Sequence, residues 1–214
     1  MKTKKIAAKK KYEFTGETKE VEGHTLHRIR ALRTITDPNV YGWKISAGRT
    51  GGWIESEKNL SHDGAAWVNR EACVYGDAEV CDNALVDDNA QVSGHVKVYD
   101  DAQVYDNALV GGDAEVFGDA RVYSNAEVYG FARVYGDAIV CGSAEVRGTT
   151  TLYEGCLTEG TYGPTPVGEP EESADPEDTL KHLLDVLEGR FDRLSSEMKA
   201  TVKDIKDIKK KLHM

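Results

Sequence analysis

A valine recurs at every sixth position through the middle of the chain, with polar and turn-forming residues between successive valines. The series consists of Val68, Val74, Val80, Val86, Val92, Val98, Val104, Val110, Val116, Val122, Val128, Val134, Val140 and Val146, with Leu152 at its end. A helix cannot place residues six apart on one face, and β-branched residues prefer strands. The pattern therefore predicts fifteen short strands separated by sharp corners.

Four residues after each of these positions, a second residue of the hexad is small and apolar in most cases. It is alanine in most hexads, Val96 in one, and Thr150 and Cys156 at the end. Gly, Asn and Asp lie between, and these residues tolerate the left-handed backbone that a tight corner needs. We expect the valine and the later residue to point into a narrow core, and their neighbours to point outward.

The hexads Val74–Glu79 (VYGDAE) and Val134–Ile139 (VYGDAI) resemble the hexapeptide repeat of left-handed parallel β-helices. The segment 51–60 (GGWIESEKNL), followed by this repeat, is similar to the YdcK-like β-solenoid proteins of bacteria and their phages. Members of that family are often labelled as transferases. The resemblance covers about residues 12–160 and implies a left-handed coil of three hexads, or 18 residues.

The expected fold is all-β: a left-handed parallel β-helix of about five regular 18-residue coils, with an N-terminal β cap and a C-terminal coiled coil. Trp43, Trp53 and Ile54 are expected to close the first coil, because an open β-helix exposes unpaired strand edges. The predicted segments are a basic disordered tail (1–11), the β cap (12–60), the hexapeptide-repeat β-helix (61–160), a Gly- and Pro-rich linker (161–174) and an amphipathic helix (175–214).

The last segment has apolar residues at spacings that alternate between four and three, which is a heptad pattern. Asp175 is a suitable N-cap, and Pro176 fits the first turn. The pattern predicts a coiled coil, and the resemblance to trimeric β-helices points to a homotrimer. The alternative is a single helix packed on the solenoid. The expected oligomerisation residues are Leu184, Leu187, Phe191, Leu194, Met198, Ile205 and Ile208.

One outward column of the predicted coils is apolar. Its members are Cys81, Tyr99, Phe117, Tyr135 and Tyr153, with Leu85, Ile139 and Leu157 alongside. Either the rings only stack on one another between coils, or the strip is a contact surface for a subunit or another protein. The second interpretation is favoured. It makes Tyr99, Phe117, Tyr135, Tyr153 and Ile139 the candidate binding residues.

Two other columns are charged. Glu79, Lys97, Glu115 and Arg133 alternate in sign and predict a ladder of ion pairs. Asp101, Asp119 and Asp137 also recur at 18-residue spacing. Turn chemistry accounts for these aspartates, with a calcium ladder or a phosphate-mimicking stripe as alternatives.

The chain carries 27 basic and 37 acidic residues, a net charge of −10. The net charge is +6 over residues 1–60, −13 over 61–160 and −3 over 161–214. The negative charge of the repeat disfavours direct binding to nucleic acid. No apolar run predicts a membrane span, and the first residues lack the apolar region of a signal peptide. The cysteines form no CxxC motif and no disulfide framework, which favours a reducing compartment. The expected location is the bacterial cytoplasm, with a virion as the alternative.

Many hexapeptide-repeat proteins are acyltransferases, and the resemblance implies a catalytic histidine near a subunit boundary and a loop that extends from the coils over the acyl donor. Of the six histidines, His95 lies within the uninterrupted repeat, but no extruded loop adjoins it. A general base needs a positioned partner and a site that excludes water, so His95 is a weak candidate. The residues predict no metal site and no cofactor.

Two classes of function remain open. The favoured class is a non-enzymatic, homotrimeric β-solenoid encoded by a phage or prophage, which acts as a structural module or binds a protein or ligand. One version of it is a counter-defence inhibitor that binds a host protein, a nucleotide signal or a nucleic-acid-binding surface. The competing class is an acyl-CoA-dependent acyltransferase.

Overall fold

The computed structural model describes residues 10–38 and 43–163. These residues form a parallel β-solenoid of about six turns and contain strands but no helix. The described part of the chain therefore has no helix that could cross a membrane. The predicted linker beyond residue 163, the helix and all seven expected oligomerisation residues lie outside the described residues, as do residues 1–9 of the tail.

The strands of the solenoid are mostly two residues long, with longer strands at its N-terminal end. In chain order they are β1 (Tyr12–Val21), β2 (His24–Ala31), β3 (Ile35–Thr36), β4 (Lys44–Ile45), β5 (Thr50–Ile54), β6 (Trp67–Val68), β7 (Cys73–Val74), β8 (Glu79–Val80), β9 (Leu85–Val86), β10 (Gln91–Val92), β11 (Lys97–Val98), β12 (Gln103–Val104), β13 (Leu109–Val110), β14 (Glu115–Val116), β15 (Arg121–Val122), β16 (Glu127–Val128), β17 (Arg133–Val134), β18 (Ile139–Val140), β19 (Glu145–Val146), β20 (Thr151–Leu152), β21 (Cys156–Leu157) and β22 (Thr161–Tyr162).

Successive strands belong to three different sheets, so three hexads complete one coil. The nine-stranded sheet has the order β1-β2-β5-β7-β10-β13-β16-β19-β22, the six-stranded sheet β21-β18-β15-β12-β9-β6, and the five-stranded sheet β20-β17-β14-β11-β8. Strands of adjacent coils pair in parallel at a register of 18 residues, as Val92 does with Val110. The predicted 18-residue coil is therefore confirmed.

The core is a column of valine and alanine side chains. Every valine of the series is buried, as are the alanines between Ala72 and Ala144 and the single Val96. Backbone hydrogen bonds join each coil to the next: the Gln91 amide donates to Ala108 O at 2.9 Å. For the hexads from Val68 to Val146, the predicted inward direction of both positions is confirmed.

The corners use the left-handed backbone that the sequence predicts. Gly112 has a φ of 71°, and a Cβ added to it would lie 2.8 Å from the Gly130 amide nitrogen of the next coil. Aspartates take the same conformation at other corners, with φ of 55° at Asp82 and 56° at Asp100. The corner at Gly112 therefore requires glycine for two reasons, its dihedral angle and the close approach of the next coil.

The N-terminal cap continues the nine-stranded sheet. β1 and β2 form an antiparallel hairpin, β2 pairs antiparallel with β5, and β5 pairs in parallel with β7. Lys11, which the sequence analysis assigns to the tail, is fully buried, and its Nζ donates to Ala66 O at 2.7 Å. Ile54 lies in the main core, whereas Trp53 packs on the outer side with Leu26. Alternation along β5 gives these neighbouring side chains opposite faces.

The repeat loses its period after Leu152. Val140 pairs with Leu157, seventeen residues away, and Val146 pairs with Tyr162, sixteen residues away. The coil between Val140 and Leu157 is one residue shorter than the regular 18-residue coils. Its last strand, β21, is therefore shifted by one position, which reverses the direction expected for its side chains. The expectation that Cys156 points inward is therefore wrong: Cys156 is exposed, and Leu157 packs against the core.

Candidate binding surface

The residue directly after each core valine stands at a corner of the coil, and residues 18 apart form a column there. At the end of the five-stranded sheet this column contains Tyr99, Phe117, Tyr135 and Tyr153, here called the aromatic column. The ring centroids of Tyr99 and Phe117 are 4.8 Å apart, and those of Phe117 and Tyr135 are 4.7 Å apart, with 3° between the planes in both pairs. The predicted stacking is confirmed.

The aromatic column remains partly open to solvent. Tyr99, Phe117 and Tyr135 are half-buried, while Tyr153 is 56% exposed and its ring is tilted by 57° to that of Tyr135. Ile139 is half-buried in β18 of the neighbouring six-stranded sheet. The structure brings the four rings together and places Ile139 on the adjacent face. Their role as a contact surface stays a prediction.

The charged column lies beside the aromatic column. Lys97 pairs in register with Glu79 and with Glu115, and Glu115 pairs with Arg133. Arg133 Nε donates to Glu115 Oε2 at 3.0 Å, and the guanidinium lies 5.3 Å from the Phe117 ring centroid. Arg133 therefore joins the predicted ladder of opposite charges to the aromatic column.

A second stack lies at the end of the six-stranded sheet. The Tyr105 and Tyr123 rings are 4.8 Å apart and nearly parallel, at 5°. The hydrogen bond with Cys141, followed by burial, raises the pKa of Tyr123 to about 12. The Cys141 and Cys156 sulfurs are 3.9 Å apart as free thiols. This tyrosine pair was not predicted from the sequence, although it occupies the same hexad position as the aromatic column.

The third corner, at the end of the nine-stranded sheet, has an interrupted column: Tyr75, Ser93, Gly111, Tyr129 and Arg147. Ser93 and Gly111 leave a notch of about 160 Å³ between the two tyrosines, lined also by Glu22, Gln91 and Leu109. The Arg147 guanidinium covers the far side of the Tyr129 ring at 5.0 Å. The notch was not predicted from the sequence. The sequence feature that indicates it is the lack of an aromatic residue at two successive positions of this column, Ser93 and Gly111.

Two of the histidines that the structure describes, His95 and His62, lie in different surroundings. The His95 side chain is 67% exposed, and its Nδ1 lies 3.6 Å from Asp77 Oδ2. His62 instead has a structural role, because its ring stacks on Tyr12 at 4.4 Å and its Nδ1 accepts a hydrogen bond from the Lys11 amide. An exposed corner histidine lacks the water-excluding surroundings of a general base.

The corner aspartates take part in local hydrogen bonds. Asn83 Nδ2 donates to Asp101 Oδ1 at 3.1 Å, from one coil to the next. Among the residues that the structure describes, no three His, Cys, Asp or Glu side chains are grouped as a metal site would require. Turn chemistry accounts for Asp101, and the calcium alternative gains no support.

The fold places the chain in the class of parallel β-solenoids, in agreement with a hexapeptide-repeat β-helix. No protein-family model matches the chain, and no curated protein shows significant similarity to it.

Proposed function

We propose that the protein is a non-enzymatic binding module, encoded by a phage or prophage, that presents aromatic side chains from a rigid solenoid to another protein. The observation that carries this proposal is the aromatic column, four rings in one line with the last of them more than half exposed. Aromatic residues are enriched in protein interfaces because they bury much area at a low entropic cost.

The proposal includes a left-handed coil and a homotrimer. The handedness rests on the resemblance of the hexads to left-handed β-helices, and the trimer rests on the heptads between residues 175 and 214. The module would act in the host cytoplasm or in a virion.

The binding role is tested by the double variant Tyr99→Glu with Tyr135→Glu in the full chain. We expect a lower mass by light scattering or the loss of a captured host protein, since charges would disrupt an apolar contact. The matched control is Tyr105→Glu with Tyr123→Glu, which makes the same charge change at another corner. Circular dichroism establishes that both variants fold.

If the double variant does not fold, Tyr153→Ser serves instead, because that ring is more than half exposed and its contact with Tyr135 is tilted. An unchanged mass and an unchanged set of captured proteins in the folded variant contradict the proposal. The homotrimer is tested separately by native mass spectrometry: Leu187→Glu with Leu194→Glu should give monomers, while Ser196→Glu, outside the heptad positions, should leave the trimer intact.

A second candidate is an inhibitor that occupies the basic, nucleic-acid-binding surface of a host protein. The observation in its favour is the net charge of −13 over residues 61–160, which attracts a basic partner over long distances. Affinity for such a partner should fall steeply with added salt because of screening. Binding that is insensitive to salt would count against this candidate.

The acyltransferase alternative has less support, since His95 is exposed at a corner of the coil. Calorimetry with coenzyme A tests it directly. Measurable binding that is lost in His95→Ala would favour the enzyme, and the absence of binding would remove it.

A further inference from the structure

The interrupted column is unlike the other two corners. At the end of the five-stranded sheet, rings occupy four successive positions, and at the end of the six-stranded sheet they occupy two. At the third corner, Tyr75 and Tyr129 are separated by Ser93 and Gly111. The column therefore has two aromatic ends and an open middle.

The notch reaches down to the core. With stacked rings 4.8 Å apart from coil to coil, the three steps from Tyr75 to Tyr129 span about 14 Å. Val110, below the gap, is 2% exposed, whereas Val92 and Val128 in the adjacent coils are fully buried. The missing side chains thus leave a recess beside the half-buried Tyr129, whose other end is closed by Tyr75, 4% exposed and packed against Leu26 and Trp53.

Gly111 is not required by the backbone. A Cβ added there would meet only Ser93 Oγ, at 3.9 Å, whereas a Cβ on the next residue, Gly112, would lie 2.8 Å from a backbone nitrogen. Gly112 has a positive φ, and Gly111 does not. Glycine at position 111 therefore leaves space that a side chain could fill, and the notch is not a by-product of the corner.

The polar rim of the notch contains one carboxylate, Glu22, beside the Gln91 amide and the Ser93 hydroxyl. The Tyr75 hydroxyl donates to Glu22 Oε2 at 3.2 Å, and it lies 3.4 Å from Gln91 Oε1. The backbone amides of Ser93 and Gly111 already donate to carbonyls of the next coil, at 2.9 and 2.8 Å. Glu22 is the charged residue in the lining. A guest that donates a hydrogen bond suits this rim.

We propose that the notch receives the indole of a tryptophan in a basic segment of the partner protein. The ring would stack on Tyr129, its N–H would donate to the Glu22 carboxylate, and flanking basic residues would meet the acidic solenoid. This inference rests on the proposed binding function and names a site for it. Leu109, 41% exposed beside the notch, extends the apolar contact.

The size of the notch supports a single side chain. Its volume of about 160 Å³ is close to the roughly 150 Å³ of a protein cavity that binds benzene, and it is below the roughly 300 Å³ at which small-molecule pockets begin. Tryptophan is also among the residues that most often dominate interface energies. A nucleotide is less suited, because its phosphate would face Glu22 and the acidic coils.

The test uses the full chain and a blocked lysine–tryptophan–lysine tripeptide with 5-fluorotryptophan, observed by ¹⁹F NMR. We expect line broadening that saturates with wild-type protein and an affinity at least tenfold weaker with Gly111→Tyr, which fills the notch. The matched control is Cys81→Tyr, which adds one ring below the aromatic column and should bind as wild type does. Glu22→Gln should weaken binding severalfold.

Two binding results would overturn the inference: no binding of the tripeptide to wild-type protein, or equal binding to wild type and Gly111→Tyr. A third would be displacement of the fluorinated tripeptide by adenosine monophosphate, or by lysine–alanine–lysine, as effectively as by the unlabelled lysine–tryptophan–lysine tripeptide. Comparable melting temperatures of the variants show that all are folded. A failure of the notch can be distinguished from a failure of the proposed binding function. A host partner captured equally by wild type and Gly111→Tyr would refute the notch and leave the aromatic column as the contact surface.

Discussion

The replacement of Phe117 by leucine separates ring stacking from simple apolar burial. Phe117 is the central member of the aromatic column, between Tyr99 and Tyr135 at 4.8 and 4.7 Å, and its ring is also faced by Arg133. Leucine keeps most of the apolar area and removes the three interactions of the ring. The matched control is Tyr105→Leu, since Tyr105 stacks on one neighbour, Tyr123.

The expected cost follows from the number of stacked pairs. One pair contributes about 0.5–1.5 kcal/mol beyond burial, so Phe117→Leu should lower the free energy of unfolding by about 2 kcal/mol and Tyr105→Leu by about 1 kcal/mol. A cation–π contact at an exposed site adds about 0.5 kcal/mol for Phe117. In a chain of this size, these costs correspond to melting temperatures lower by about 4–8 °C and about 2–4 °C.

Urea titrations followed by circular dichroism, at one protein concentration, measure both costs. A double-mutant cycle of Phe117→Leu with Tyr135→Leu should give a coupling of about 0.5–1.5 kcal/mol. Stacking as a source of stability would be refuted by a Phe117→Leu cost no greater than that of Tyr105→Leu, together with a coupling near zero.

Three other substitutions test the core, the corners and the cap. Ala108→Leu adds three carbons beside a filled core and should cost about 1–3 kcal/mol; a variant that melts like wild type would contradict the inward position. Gly112→Ala should destabilise by about 1–3 kcal/mol, whereas Gly111→Ala should be neutral or stabilise by about 0.4–1 kcal/mol; equal effects in urea titrations would refute the assigned backbone strain. Burial lowers the pKa of Lys11 from 10.5 to about 8, so the unfolded chain binds more protons between these values and stability should rise with pH there. Unfolding of Lys11→Met at pH 8 and pH 10 should lack this rise, and an identical pH dependence in both proteins would contradict it.

The solenoid was predictable because the same pattern of a valine and a small residue recurs in almost every hexad. Val104 and Ala108 occupy positions that recur every six residues, and a single error in one hexad would not change the interpretation. The shift after Leu152 was not predictable in the same way, because Cys156 satisfies the small-residue pattern while pairing sets its actual register. Lys11 was also misassigned, since a lysine-rich composition does not show that one ammonium donates to two backbone carbonyls.

The candidate surface was predictable in part. The 18-residue spacing indicated the stack of Tyr99, Phe117 and Tyr135, because all three rings are present in the sequence. The notch is defined by absent side chains and by Glu22, which comes from the hairpin 53 residues before Tyr75. Column positions can be read from the sequence, but the approach of the hairpin to one corner depends on how β2 pairs with β5.

The pairing of β5 with the hairpin on one side and with β7 on the other has a consequence for biosynthesis. The hairpin links strands that are close in sequence, and such structures form in about 1–10 μs. A ribosome adds about 5–20 residues per second, so each new coil of 18 residues emerges over about 1–4 s. Each coil then meets an edge that is already ordered. The solenoid can therefore be assembled in the direction in which it is translated, with each new coil adding one strand to each of the three sheets.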